Sequence, residues 1–213
     1  MATKNIFKPI LFNTEMVQAI LAGRKTQTRR IIKLDTGQLI ADTVEQISSN
    51  YFFFKKDNEA VAGRNSKYQI DDILWVRETF VFIERKNKNF YRADNDSSMK
   101  LFSGWKPSLF MPKEAARIFL KVTNVRCERL QDISEEDAIA EGIIKCFVGN
   151  PTDFENSKMR VYRSSKLEEG NVFAIDAFKE LWQSINAKKH PWKSNPWVWV
   201  YDFEVIDKPE DFN

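Results

Sequence analysis

Four cations and two threonines fall within seven residues, Arg24-Lys25-Thr26-Gln27-Thr28-Arg29-Arg30, with no acid among them. A turn that gathers cations and backbone N–H groups suits an anion, above all a phosphate. The same composition also makes an ordinary solvated basic turn. A second chemically loaded place is the strand Ile73-Leu74-Trp75-Val76-Arg77-Glu78, where a charged pair interrupts an apolar run. Arg77 and Glu78 read equally as an ion pair ordering the strand end and as part of a site. Cations engage phosphate and an aromatic face stacks a base. A pocket rimmed by Arg24, Arg29, Arg30 and Arg77 and floored by Trp75 or Trp199 would therefore hold a nucleobase or a nucleic-acid backbone. Both tryptophans also suit plain core packing.

The elements that must position these groups follow from the periodicity. Lys8 to Phe12 reads as a first strand, and Asn13 or Thr14 can cap the helix that follows, with Glu15 in its first turn. Met16, Val17, Ile20 and Leu21 share one helical face. Gly23 suits the left-handed residue that ends such a helix, and Thr26 to Ile32 reads as a strand beginning. A polar stretch at about 34–66 reads as an insertion carrying one hairpin, Tyr51 to Phe54 returning at Ala60-Val61. Another hairpin is expected from Phe80 to Ile83 and Phe90 to Ala93, followed by a proline-bounded loop from Trp105 to Pro112.

Ile118, Leu120 and Val122 alternate inward, and Val125 and Cys127 continue in the opposite phase. That switch near Thr123-Asn124 predicts a bulge in a curved strand. Ser134 with Asp137 resembles a capping box for a helix over 135–140, ending at Glu141-Gly142. A second insertion is expected at about 146–170, then an amphipathic helix over 171–185. The last strand, Pro196 to Ile206, puts Trp197, Trp199, Tyr201, Phe203 and Val205 on one face.

Composition narrows the classes. Net charge is +3, from 33 cations against 30 acids, so the overall balance does not by itself predict nucleic-acid binding. Two cysteines and one histidine are too few for a disulfide framework or a zinc site, and no metal or cofactor is called for. Met1 to Phe12 lacks the apolar core of a signal peptide, and no apolar run is long enough to span a membrane. A cytoplasmic protein with no membrane partner is the expectation.

Short strands, bulge signals and three helices suggest a small mixed α+β barrel. Leu21-Ala22-Gly23-Arg24-Lys25-Thr26-Gln27-Thr28-Arg29-Arg30 resembles the signature of the ASCH family, a branch of the PUA-like barrels. The blocks Asp72 to Thr79, Trp105 to Ser108, Met111-Pro112 and Asn195 to Val200 resemble its longer phage and prophage members. Such members usually carry Gly where Asp71 stands, and often His where Phe110 stands. The resemblance implies a single domain over 1–213, a PUA-like barrel with flanking helices and the two insertions. It also implies binding of nucleic acid, RNA rather than DNA, or of a modified nucleobase, nucleoside or nucleotide.

One small branch of the family is similar to a metal-independent amidohydrolase that deacetylates acetylated cytidine. Carried over, its Lys, Thr and Glu are Lys25, Thr28 and Glu141. In that chemistry a partly neutral Lys25 takes the Thr28 proton, Thr28 attacks the amide carbonyl, and Glu141 orients Lys25 or returns the proton. An inert Lys25–Glu141 ion pair fits the same residues, and other members have been linked to RNA cleavage. All of these readings require Lys25, Thr28 and Glu141 to meet at one pocket mouth, with Arg77 or Glu78 nearby.

Overall fold

The computed structural model describes residues 7–32, 41–95, 97–99, 102–148, 159–163 and 171–212. In chain order the strands and α-helices are β1 (Phe7–Leu11), α1 (Thr14–Leu21), β2 (Gln27–Ile31), β3 (Thr43–Gln46), β4 (Tyr51–Lys56), β5 (Glu59–Asn65), β6 (Ile73–Arg77), β7 (Phe80–Ile83), β8 (Lys88–Tyr91), β9 (Phe119–Arg129), α2 (Glu135–Ala140), β10 (Ile144–Val148), β11 (Met159–Arg163), α3 (Ala174–Asn186) and β12 (Trp197–Ile206). The fold is α+β and mostly sheet.

Its centre is a five-stranded sheet in the order β1-β6-β9-β12-β2. β1 runs parallel to β6, and every other neighbouring pair in this sheet is antiparallel. The backbone ladder does not close into the expected barrel, because β1 and β2 remain its two edges. One side chain spans them: Arg30 on β2 donates to the Leu11 carbonyl of β1 at 2.8 Å.

Two cores flank β12, and its alternation decides which residue enters which. Trp197, Trp199, Tyr201 and Phe203 join Val17 and Ile20 of α1 in the larger core. Val198 and Val200 face the other way and pack with Ala138 of α2 and Phe178 and Trp182 of α3. The expected fifth inward residue of that pattern fails: Val205 is exposed, as is Leu21 at the end of α1. Both sit at element ends, where no neighbouring layer covers them.

The stretch read as a first insertion is more than a decoration. β3, β4 and β5 form an antiparallel meander, with Asp57 and Asn58 at φ 50° and 66° in the two-residue turn between β4 and β5. Phe52 and Phe54 of β4 are buried in the larger core, edge-on to Trp199 at 4.9 and 6.4 Å. The segment 34–40 of that insertion lies outside the described residues, as do 149–158 and 164–170 of the second. What is described of the second is the β10–β11 hairpin.

The bulge is present. Asp202 pairs with Asn124 and Phe203 pairs with Val122, so Thr123 is the extra residue on β9. Leu120, Val122 and Val125 consequently all enter the larger core. Both helix caps also form: Asn13 Oδ1 accepts from the Met16 N–H at 2.8 Å, and Ser134 Oγ accepts from the Asp137 N–H at 3.1 Å. α3 begins at Ala174, leaving Val172 exposed ahead of it. Asp71 holds φ 70°, a left-handed conformation that favours glycine. It does so at the position where the resembled family carries Gly.

Candidate functional site

The basic turn is built by the end of α1. Ala22 closes the helix, Gly23 takes φ 68°, and the N–H groups of Arg24 and Lys25 return to the Ala19 carbonyl. The chain then pairs Lys25 with Glu141 in an isolated bridge before β2 begins. Glu141 is the residue that ends α2, and Gly142 after it takes φ 103°. A β-carbon on Gly142 would stand 3.1 Å from the Ala19 side chain and 3.3 Å from that of Lys25. Two helix ends therefore meet: the turn that follows α1 supplies the cation, and the residue that ends α2 supplies the acid.

Lys25 is 1% exposed. Its ammonium donates to Glu141 Oε2 at 2.6 Å, the Glu141 carbonyl at 3.0 Å and the Gln27 carbonyl at 2.8 Å. Three donors meet three acceptors, which is the full capacity of an ammonium. Burial pulls the Lys25 pKa below its ordinary value, and the Glu141 carboxylate opposes that pull.

β2 then separates its residues by face. Gln27 and Arg29 point to one side, Thr28 and Arg30 to the other. Arg29, with a side chain 1% exposed, is held by Glu128 at 2.5 Å and Asp137 at 3.0 Å, with Glu141 Oε1 at 3.5 Å. Arg126 joins the same acids, bonding Asp137 at 2.9 Å, Glu128 at 3.2 Å and Asp202 at 2.7 Å. Gln27 donates to Asp137 and Asp202 at 2.8 and 2.7 Å. Burial disfavours the Asp137 carboxylate, but bonds from Gln27 and Arg126 outweigh it and hold its pKa below the usual range.

The other face of β2 looks into a cavity of about 580 Å³. Thr28 stands opposite Tyr201 and Arg30 opposite Trp199 across the β2–β12 ladder, and all four line the cavity. Lys67, Tyr68 and Glu141 line it as well. Arg30 has no carboxylate partner among the described residues; its hydrogen bond to Leu11 and its place over the Phe12 ring, 5.1 Å away, are its anchors. Its Nε is buried with no acceptor among them. The Tyr201 hydroxyl is buried beside Ser66 and the Lys67 and Tyr68 backbone without closing a well-formed hydrogen bond, and burial raises its pKa above the ordinary value. The Thr28 hydroxyl makes no hydrogen bond among the described residues, although Thr28 is buried.

Of the ten residues expected from sequence, Thr28, Glu141, Arg29, Arg30 and Trp199 line the cavity, and Lys25, which does not line it, lies behind Glu141 and is bonded to it. Arg24 sits beside them, donating to the Gly142 carbonyl at 3.2 Å. Trp75, Arg77 and Glu78 do not line the cavity. Trp75 packs with Phe119 and Phe212 in a separate small core. Arg77 lies over the Trp75 ring at 5.6 Å and bonds the Leu109 carbonyl. Glu78 is buried against Arg117, which holds both its oxygens at 2.8 and 3.1 Å. Burial raises the Glu78 pKa, and Arg117 opposes the rise. Arg77 and Glu78 thus have partners of their own, at the end of β6 where the Arg77 carbonyl accepts from the N–H of Phe12, the residue whose ring lies 5.8 Å from the Lys25 ammonium.

Sequence reasoning missed Lys67, Tyr68 and Tyr201 as cavity residues. For Tyr201 a signal existed, since it follows Trp199 by two residues on one strand face. Phe110, where the resembled family often has His, is exposed on a turn from Ser108 to Phe110. Among the described residues no group of three His, Cys, Asp or Glu side chains is placed to hold a metal, and no helix is long and apolar enough to cross a membrane. Compared with models of known families, curated proteins and solved structures, the chain matches none of them.

Proposed function

We propose that the chain is a PUA-like domain of the ASCH type whose β2 cavity binds a nucleobase-bearing ligand, an RNA segment or a nucleotide. The observation that carries this reading is Arg30, a half-buried cation without a carboxylate, set on a cavity walled by Trp199, Tyr68 and Tyr201. About 580 Å³ lies within the usual range of small-ligand pockets, roughly 300–1,000 Å³. The aromatic walls supply base-stacking surface and the cation supplies attraction for phosphate. The left-handed Asp71 and the Arg30 bond that joins the two sheet edges fit the same family reading.

Filter binding with single-stranded RNA, single-stranded DNA and mononucleotides across a salt series tests it. Affinity that falls with salt and weakens in Arg30→Gln is the expected result. No measurable binding of any of them at low salt rejects the reading.

A second reading is favoured by one specific arrangement. The Thr28 hydroxyl is free of hydrogen bonds on the same cavity wall as Glu141, whose carboxylate holds Lys25 at 2.6 Å. A threonine nucleophile with a lysine base would deacylate an acylated nucleoside if the Thr28 hydroxyl passed its proton to Lys25. As placed, Lys25 spends all three protons on acceptors, so it must first release one, and its burial favours that release. Incubation with N4-acetylcytidine and detection of cytidine decides it: release abolished in Thr28→Val supports deacylation, and no release rejects it.

A further inference from the structure

The cavity carries an unbalanced charge that pocket shape alone does not explain. Of its acidic and basic lining residues, Arg29 is enclosed by Glu128 and Asp137, and Glu141 is taken up by Lys25. Arg30 and Lys67 remain, and neither has a carboxylate partner among the described residues. Lys67 stands exposed at the mouth, its ammonium 5.0 Å from the Tyr68 ring centre. Burial and then the Arg30 charge lower its pKa, so the two cations repel one another across this wall. The Tyr201 ring, 5.0 Å from that of Tyr68, completes the aromatic side of the same wall.

We infer that Arg30 and Lys67 form a subsite for a phosphomonoester, so that the cavity selects phosphorylated nucleosides over uncharged ones. The inference rests on the nucleobase-pocket reading above and names the ligand class for it. An internal phosphodiester carries one negative charge, whereas a monoester carries about 1.5–2 at neutral pH. Two uncompensated cations match the monoester. A guanidinium offers a planar set of donors suited to phosphate oxygens, and the lysine adds a point charge at the mouth. The source is either a free nucleoside monophosphate or the phosphorylated end of a strand.

Calorimetric titration with the four ribonucleosides, their 5′-monophosphates and inorganic phosphate tests the subsite. The expected result is monophosphate binding about tenfold or more tighter than nucleoside binding. Arg30→Gln should cut the ratio of the two affinities by about ten- to hundredfold, and Lys67→Gln, at an exposed position that does not threaten folding, by about three- to tenfold. Equal affinity for nucleosides and monophosphates, or a ratio unmoved by both substitutions, overturns the phosphate subsite and leaves the nucleobase pocket standing. Absence of all binding overturns both. A 5′-phosphorylated RNA hexamer beside its 5′-hydroxyl counterpart tells the sources apart. Competition by the phosphorylated hexamer alone assigns a strand end, and competition by neither assigns the free nucleotide.

Discussion

Arg29 and Arg30 are adjacent on one strand, yet they live in opposite electrostatic worlds. Arg29 lies among Glu128, Asp137 and Glu141, which Arg126 also helps to neutralise. Arg30 lies one residue on, across the sheet, bonded to a carbonyl and stacked on Phe12. The first arginine is structural cement, and the second carries a charge that no carboxylate among the described residues bonds. A run of cations in a sequence therefore says little about which of them are free. The strand's twofold alternation divides the run, and the acids on each side decide the rest.

The largest test of this contrast is Arg29→Met. Removing a buried cation and leaving its acids behind typically costs about 3–5 kcal/mol, so urea unfolding should show a loss of that size. Arg30→Met should cost about 1 kcal/mol, the scale of one hydrogen bond, while abolishing the salt-dependent part of ligand binding. Equal losses for the two variants would erase the distinction.

Acid sensitivity sharpens the comparison at a smaller scale. The Asp137 pKa is depressed in the folded state, so its contribution is present above its unfolded pKa of about 3.9 and is lost as pH falls through the lower folded value. Stability of the wild type should drop below about pH 4, and Asp137→Asn should flatten that limb of the profile. An unchanged acid limb would show that the network on the Arg29 side is electrostatically idle.

The smallest effects belong to the cavity face. Thr28→Val and Tyr201→Phe remove hydroxyls that close no well-formed hydrogen bond among the described residues. Each should leave the thermal midpoint nearly unchanged or slightly raised, within about 1 kcal/mol. A clear loss of stability in either would mean that the hydroxyl has a structural role on this face.

Much of the fold was legible because the signals were local. The caps at Asn13 and Ser134, the turn at Asp57-Asn58 and the alternation of Trp197 to Phe203 each depend on residues close in sequence. The Lys25–Glu141 meeting was legible through the family resemblance, and two glycine-ended helices deliver it. The silencing of Arg29 was not legible, because its acids come from β9, the first turn of α2 and the end of α2. The two candidate tryptophans could not be told apart either. Phe212, near the end of the chain, folds back onto Trp75, while Phe52 and Phe54 arrive from the meander onto Trp199. Lys67 and Tyr68 hid in the connection between β5 and β6, where polarity reads as loop.

The single extra residue at Thr123 has a consequence for how this chain tolerates change in length. It sets the phase of β9 on either side of itself, with Leu120 and Val122 ahead and Val125 behind. Val122 and Asn124 already stand opposite the adjacent residues Phe203 and Asp202, so deleting Thr123 would join them into a regular strand and leave each pairing and each face as it is. Leu120, Val122 and Val125 would all still point inward, and what the deletion takes away is the local bend and the added twist. β12 has no such spare residue at this point, and a residue lost from it would make one side of the strand slip and exchange its faces. The two paired strands therefore differ in how they tolerate a change of length: β9 carries one residue of slack at an exposed position, and β12 carries none.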